Sequence, residues 1–185
     1  MADNALINTL LLANSDDVAS SFRSALGSTS KLWVSNTTDN ALNVLSGSSI
    51  ELIISTPDFA SSSGLHFFEK IMPEYPDPVR IMIAEQSELD SVIEAINKGR
   101  IYKYIVRPWT DNQVQTIVKE ASELYQLRTE LENRVSEFSD QLIQAELNLE
   151  SLIEDIQASE RLDAKTKFDY ITRLKSTITL LSSPD

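Results

Sequence analysis

The 185-residue chain carries 28 acidic and 16 basic side chains, and its formal charge of −12 disfavours a grip on nucleic-acid phosphates. The absence of cysteine excludes disulfides, thiolate zinc sites, iron–sulfur clusters and cysteine nucleophiles. The single histidine, His66, excludes a multi-histidine metal site. The N-terminal apolar run is short and flanked by acids, so we expect neither a signal peptide nor a membrane span, but a soluble cytoplasmic protein without nucleic-acid or membrane partners.

Glycine and proline divide the chain into two parts, because all four glycines and five of the six prolines precede residue 110. The first part alternates short apolar runs with stretches of helical spacing. The predicted strands are Thr9–Ala13, Lys31–Val34, Glu51–Ser55, Val79–Ala84 and Tyr104–Val106, and the predicted helices are Val18–Leu26, Asn40–Leu45, Leu65–Met72 and Leu89–Asn97. Strands that alternate with helices predict a doubly wound α/β fold with a five-stranded parallel sheet.

In such a sheet the ligand crevice lies beyond the carboxyl ends of the strands. The residues at or directly after those ends are Asn14, Ser15, Thr56, Ala84, Glu85 and Arg107. These positions therefore hold the candidate functional site.

Two stretches of this sequence resemble the receiver domain of bacterial response regulators, over roughly residues 6 to 125. One is Asn97–Trp109, whose Arg107-Pro108-Trp109 is similar to the Lys-Pro-aromatic sequence after the last receiver strand. The other is Glu51–Thr56 with Gly64 eight residues later, the spacing of the family's phosphorylation loop. The resemblance implies a flavodoxin-like sheet with strand order 2-1-3-4-5.

The resemblance also implies where receiver chemistry would sit. The family's acidic Mg²⁺-binding pair falls on Asn14 and Ser15, its phosphoacceptor aspartate on Thr56, its Ser/Thr on Ala84 and its lysine on Arg107. All five are changed, so we interpret these positions as a degenerate phosphorylation site. Neutral oxygens hold Mg²⁺ poorly, and a threonine without a nearby base is a weak nucleophile. No catalytic residue, metal or cofactor is expected.

Other acids near these positions offer an alternative. Asp16 and Asp17 would form an acidic pair if the first strand ran two residues longer, but we favour Ser15 or Asp16 as the cap of the first helix. Asp58 is favoured as an exposed loop carboxylate. Arg107 either pairs with Asp16 or Asp58 or projects into solvent.

Partner contacts are expected on the face formed by the fourth helix, the last strand and the fifth helix. Glu88, Tyr104 and Trp109 are the candidate residues there. For Tyr104 and Trp109, half-buried packing is an equally favoured interpretation.

The second part of the sequence has a heptad pattern from Ala121 to Ile156. Arg128 is the one charged residue of this apolar seam, and it would set the register and oligomeric state of a coiled coil. The predicted dimer seam contains Leu124, Leu131, Val135, Phe138, Leu142, Leu149, Leu152 and Ile156. After Ile156 the register breaks near residues 158–164, and a new apolar stripe begins at Phe168. A parallel dimer, an intramolecular hairpin and a four-helix arrangement all remain open, and we favour a homodimer.

The predicted domains are a receiver-like domain at residues 1–112, whose fifth helix continues to about 125, and a helical coiled-coil region at residues 113–185. We predict a non-enzymatic signalling adaptor that binds a protein partner independently of phosphorylation. The alternatives are the regulatory receiver portion of a two-component-type phosphodiesterase or phosphatase system, and a receiver switched by a non-aspartyl route at Thr56.

Overall fold

The computed structural model describes residues 6–60, 62–85, 87, 93, 96 and 100–181, and the chain divides into two compact units between Arg128 and Thr129. The elements are β1 (Ile7–Leu12), α1 (Asp16–Leu26), β2 (Ser30–Ser35), α2 (Thr38–Gly47), β3 (Leu52–Ser55), β4 (Asp58–Phe59), β5 (Ser62–Ser63), α3 (Gly64–Ile71), β6 (Val79–Ala84), β7 (Lys103–Val106), α4 (Asp111–Ala158) and α5 (Ala164–Leu181). The predicted helix Leu89–Asn97 and the partner candidate Glu88 lie largely or wholly outside the described residues.

The main sheet confirms the predicted fold class. Its five strands are all parallel and lie in the order β2-β1-β3-β6-β7. This is the expected 2-1-3-4-5 arrangement once β4 and β5 are left out of the numbering. These two strands form a separate antiparallel hairpin of two residues a side, which the sequence did not predict.

Two apolar clusters cover the two faces of the sheet. Successive side chains of a strand point to opposite faces, so Leu11 packs on one side of β1 while Leu10 and Leu12 pack on the other. The first cluster includes α1 and the beginning of α4, and the second includes α2 and α3. Because both faces of the sheet are covered, the strands read as continuous apolar runs. Each large side chain that is fully buried contributes about 1.5–3 kcal/mol to the stability of the fold.

Side-chain caps fix where the helices begin. Ser15, Thr37 and Ser63 accept hydrogen bonds from backbone N–H groups in the first turns of α1, α2 and α3. At α4, Thr110 and Gln113 form a reciprocal capping box, in which each side chain accepts from the other's backbone N–H. Hydrogen-bonded caps therefore mark the beginnings of α1, α2, α3 and α4.

The second unit, from Thr129 onward, is a helix, a turn and a second helix. Asp163 begins α5 by accepting hydrogen bonds from the backbone N–H groups of Lys165 and Thr166, both at 3.0 Å. The Lys167 ammonium donates back to the Gln157 carbonyl oxygen at 2.9 Å, and Ile153 on α4 is only 8% exposed. This hydrogen bond joins the beginning of α5 to the end of α4. Among the described residues, none of the helices combines the length and apolar character of a membrane span.

Candidate functional site at the carboxyl edge of the sheet

The parallel strands bring the predicted site residues to one edge of the sheet. The Thr56 N–H donates to the Leu12 carbonyl oxygen at 2.9 Å, which ties the end of β3 to the end of β1. The Arg107 N–H donates to the Ala84 carbonyl oxygen at 3.0 Å, which does the same for β7 and β6. The strand ends are therefore hydrogen-bonded neighbours.

The hydroxyl of Thr56 is enclosed by backbone carbonyl groups. This residue is 2% exposed, and its Oγ1 lies 3.3 Å from the carbonyl oxygens of both Leu12 and Asp58. Neither carbonyl is a general base, so the hydroxyl is hydrogen-bonded without being activated as a nucleophile.

Asn14 holds the loop that follows β3. Its Nδ2 donates to the Asp58 carbonyl oxygen at 2.7 Å, and its Oδ1 accepts from the Ala60 N–H at 3.4 Å. The hairpin turn at Ala60 has a positive φ of 49°, uncommon for a residue with a side chain. Both polar atoms of the Asn14 amide are thus used on the loop backbone.

Ser15 is the N-cap of α1, which confirms one of the two capping residues favoured from the sequence. Its Oγ accepts from the Asp17 N–H at 3.2 Å, and Asp16 and Asp17 lie in the first helical turn. Carboxylates at this end of a helix are stabilised by its positive dipole end. The strand ends at Leu12, so it does not extend to make Asp16 and Asp17 its terminal pair.

Gly64 approaches the backbone of the site closely. Its N–H donates to the Pro57 carbonyl oxygen at 2.9 Å. A Cβ at this position would come within 2.9 Å of the Ser55 Cβ, and closer still to Ser55 Oγ and the Thr56 carbonyl oxygen. The glycine eight residues after Thr56 therefore allows α3 to begin against the end of β3.

Arg107 pairs with Glu85, which the sequence places at the same edge but does not identify as its partner. Its Nη1 lies 3.4 Å from Glu85 Oε1, and its guanidinium carbon lies 5.6 Å from the centre of the Trp109 ring. An ion pair with Asp16 or Asp58 is one of two sequence-based alternatives for Arg107, and the structure shows Glu85 as its partner instead. The Nε is buried and has no hydrogen-bond acceptor among the described residues. A shallow cleft of about 480 Å³ beside it is lined by Asp17, Val18, Ser21, Glu85, Arg107, Pro108 and Trp109.

Tyr104 and Trp109 are both half-buried. Trp109 makes an edge-to-face contact with Phe22, with ring centres 5.3 Å apart, and packs against the first apolar cluster. Tyr104 packs against the second. Their packing role is visible in the structure, and their role in partner binding stays a prediction.

The donor set at this edge does not fit Mg²⁺. The Asn14 amide, the Ser15 hydroxyl and the Thr56 hydroxyl are neutral and already hydrogen-bonded to backbone groups, whereas Mg²⁺ requires near-ideal octahedral geometry and favours carboxylate ligands. Ala84, at the end of β6, offers only a buried methyl group. Within the described ranges, no three His, Asp or Glu side chains lie close enough together to hold a metal ion.

Comparisons with known proteins identify the α/β unit. No protein-family model matches the chain. Over 101 residues, 55% of the chain, it is 38% identical to the hydrogenase transcriptional regulatory protein HoxA of Bradyrhizobium diazoefficiens. The signal receiver domain of an HD domain-containing protein from Pseudomonas fluorescens Pf-5 superposes with a TM-score of 0.61 at 24% identity, over 66% of this chain and 91% of that one. The α/β unit therefore has the fold of a response-regulator receiver domain, and it is called the receiver domain from here on.

The receiver domain has other structural relatives. An uncharacterized protein from Neptuniibacter caesariensis has a TM-score of 0.63 at 26% identity, over 66% of this chain and 92% of that chain. The chain spans only 21% of the length of the HoxA relative. The similarity to HoxA is therefore a similarity to part of that protein.

The helical unit presents a second candidate surface. On α4, every residue from 130 to 144 is exposed, including four members of the predicted seam, whereas Leu149 and Ile156 are half-buried. Val135 is 70% exposed and Phe138 is 69% exposed. The other exposed seam residues are Leu131, Leu142 and, further along, Leu152. Leu124 instead packs against the first apolar cluster of the receiver domain.

Proposed function

We propose that this chain is a non-enzymatic, cytoplasmic signalling protein whose receiver domain binds a protein partner without aspartyl phosphorylation, and whose helical unit forms a homodimer. The enclosed hydroxyl of Thr56 carries this proposal. An aspartyl phosphoacceptor presents an anionic oxygen to solvent and to a divalent cation, whereas Thr56 has a neutral hydroxyl and is a residue only 2% exposed.

The neighbouring residues support the same conclusion. Asn14 and Ser15 hold backbone groups where receivers hold a cation, and Ala84 has no hydroxyl to contact a phosphoryl group. Arg107 keeps a positive charge, but Glu85 already pairs with it. We infer that this edge has one resting arrangement and offers the cleft beside Arg107 and Trp109 as a fixed contact surface.

The route through a protein kinase is disfavoured by burial. A kinase needs the acceptor hydroxyl in an extended, accessible segment, and Thr56 lies directly after a fully buried strand. Modification of Thr56 would require the loop held by Asn14 to open. A switch at this residue is therefore the less favoured alternative.

The exposed stretch of α4 supports homodimerisation. Val135 and Phe138 belong to a heptad pattern, and leaving large apolar side chains in water forfeits about 1.5–3 kcal/mol each. A second copy of the same helix supplies a matching seam. If α5 lies back along α4, each chain contributes two helices to a four-helix arrangement.

A second candidate function is that of a receiver regulating a covalently attached domain. The observation that favours it is the 38% identity to HoxA, because the matched region makes up only 21% of the length of that protein. In this case the receiver domain would regulate a domain of its own chain, again without aspartyl phosphorylation.

A titration with Mg²⁺ and beryllofluoride tests the proposal. We expect the amide chemical shifts and the thermal midpoint of the full chain to stay unchanged, because the site lacks a carboxylate acceptor. The matched control is the Asp16→Asn/Asp17→Asn variant, which removes the nearest acids. A saturable response in the wild type that this variant loses would overturn phosphorylation-independent signalling.

A further inference from the structure

A pocket lies at the opposite, amino-terminal edge of the receiver sheet. It occupies about 240 Å³ at the start of β6 and just before β7. Its lining consists of Pro78, Val79, Arg80, Ile96, Arg100, Ile101, Tyr102 and Arg128. The pocket is thus separate from the site built by Asn14, Thr56 and Arg107.

The lining is cationic in a strongly acidic protein. Of the eight described residues that line the pocket, three are arginines and none is acidic, although the chain carries 28 acids and a net charge of −12. Chance placement on such a chain would favour carboxylates. The local reversal of sign indicates a site for an anion.

Arg80 is the buried member of this group, at 8% exposure. Its Nε donates to the Arg100 carbonyl oxygen at 3.2 Å, and its Nη atoms donate to the carbonyl oxygens of Tyr75 and Pro76 at 3.3–3.4 Å. These neutral acceptors take up four of the five N–H groups and fix the plane of the guanidinium, but they leave one N–H of Nη2 without a described acceptor and do not neutralise the charge. Arg80 is therefore held in place as a cation at the pocket.

The charges around Arg80 are not balanced. Burial is the main cause that lowers the pKa of Arg80, and the positive charge of Arg128 lowers it further, while Asp77 acts in the opposite direction. Arg100 is paired with Glu69. None of the described carboxylates pairs with Arg128. An anion between Arg80 and Arg128 would relieve their repulsion.

The pocket also explains the position of Arg128. The heptad pattern places this arginine on the apolar seam, where a charge is costly. In the structure Arg128 is the last residue of the receiver unit and lines the pocket. Arg128 therefore has a place in the receiver domain, while its role in setting the register of a coiled coil stays a prediction.

We propose that this pocket binds a small phosphate-type dianion, with Arg80 and Arg128 as the binding residues and Arg100 beside them. Guanidinium groups match the oxygens of phosphate in geometry and charge. The volume is below the range of about 300–1,000 Å³ that is usual for drug-sized ligands. The apolar walls at Val79, Ile96 and Ile101 lower the local dielectric and strengthen the ion pairing.

Binding of inorganic phosphate to the full chain tests this site. Calorimetry and the Nε–H resonances of the arginines would be recorded as phosphate replaces chloride at constant ionic strength. We expect saturable binding, one phosphate per chain, with a shift of the Arg80 resonance. In the Arg128→Gln variant the affinity should fall about ten-fold or more, because one charge-assisted pair is lost.

The matched control is Arg134→Gln. Arg134 lies on the same helix and is exposed, but it pairs with Glu130 rather than lining the pocket. This variant should bind phosphate as the wild type does. Arg128 is itself exposed, so its replacement is expected to leave the fold intact, which circular dichroism checks. The proposal is overturned by absence of saturable binding up to about 10 mM phosphate, or by equal binding in Arg128→Gln and the wild type.

Discussion

At the carboxyl edge of the receiver sheet, polar side chains form hydrogen bonds with backbone groups. Asn14 uses both ends of its amide on the hairpin loop, and Ser15 caps α1. A carboxylate in place of Asn14 would accept from the Ala60 N–H but could not donate to the Asp58 carbonyl oxygen. These neutral residues are therefore suited to a fixed loop rather than to a metal ion.

Replacing Gly64 with alanine should destabilise the receiver domain. The added methyl group has no room beside Ser55 and the Thr56 carbonyl group, so we expect a loss of about 1–3 kcal/mol in the free energy of unfolding. Urea denaturation followed by tryptophan fluorescence would measure it. Trp33 and Trp109, the two tryptophans of the chain, both lie in the receiver unit.

Gly47→Ala is the matched control for this prediction. Gly47 is the last residue of α2, and a Cβ there meets nothing within 4 Å. The variant should stay within about 1 kcal/mol of the wild type. Equal stability of the two variants would contradict the steric role assigned to Gly64.

The positions of the site residues could be predicted from the sequence, but their partners could not. Strand ends are marked by the apolar runs, and this was enough to find Asn14, Thr56 and Arg107. Pairing depends on register between strands that are distant in sequence. Ala84 lies opposite Val106, so the next residues, Glu85 and Arg107, are neighbours, and the sequence offered only the order of the strands.

At the scale of elements, long apolar runs were predictable and short strands were not. The buried strands β3 and β6 are almost uniformly apolar, a pattern typical of a parallel sheet covered on both faces. The hairpin of β4 and β5 has two residues a side, too few to show any periodicity. Its backbone is hydrogen-bonded to Asn14, a residue more than forty positions away.

The heptad pattern predicted a continuous helix but not how its faces are used. The described α4 runs unbroken for 48 residues. Ala121 is fully buried in the receiver core and Leu124 packs beside it, so the beginning of the seam serves the α/β unit. An apolar stripe at 3.5-residue spacing shows which face of the helix is buried, but not whether a sheet or a second helix packs against it.

The N-cap of α5 should depend on pH through Asp163. Hydrogen bonds from the Thr166 side chain and backbone, and from the Lys165 N–H, lower the pKa of this exposed carboxyl below its usual value of 3.8. A depressed pKa in the folded state means that the stabilisation is present above the unfolded pKa and is lost as pH falls through the folded pKa. An NMR titration of the Asp163 carboxyl carbon and the Thr166 amide would follow this loss.

Asp163→Asn separates the cap from its charge. Asparagine is also a good N-cap, so the Thr166 amide should keep its hydrogen bond and lose its dependence on acid pH. If the wild-type carboxyl instead titrated at or above 3.8, the capping geometry would be wrong.

At the scale of the whole molecule, the exposed stretch of α4 should decide the oligomeric state. The Val135→Asp/Phe138→Asp variant places two charges on the apolar seam and leaves the half-buried Leu149 and Ile156 unchanged. We expect the wild type to be a dimer at micromolar concentration and this variant to be a monomer. The receiver domain and the two helices of the helical unit should still be folded. Light scattering and sedimentation velocity would measure the mass.

Asn133→Asp/Ser136→Asp is the corresponding control, since it adds the same charge on the same exposed stretch but away from the seam. It should remain dimeric. A wild-type chain that is monomeric at tens of micromolar would contradict the dimer, and loss of the dimer in both variants would assign it to net charge rather than to the seam.

The exposure of residues 130–144 has a consequence for the lifetime of the chain. A helical stretch of this length without tertiary contacts is only marginally stable in water, and pairs such as Arg134 with Glu130 contribute a few tenths of a kcal/mol. Proteases cleave where backbone opens, so an unpartnered chain would be cut in this stretch first. Assembly would then protect the chain against degradation. The fraction of protected chains would rise once the concentration of the chain exceeds the dissociation constant of the dimer.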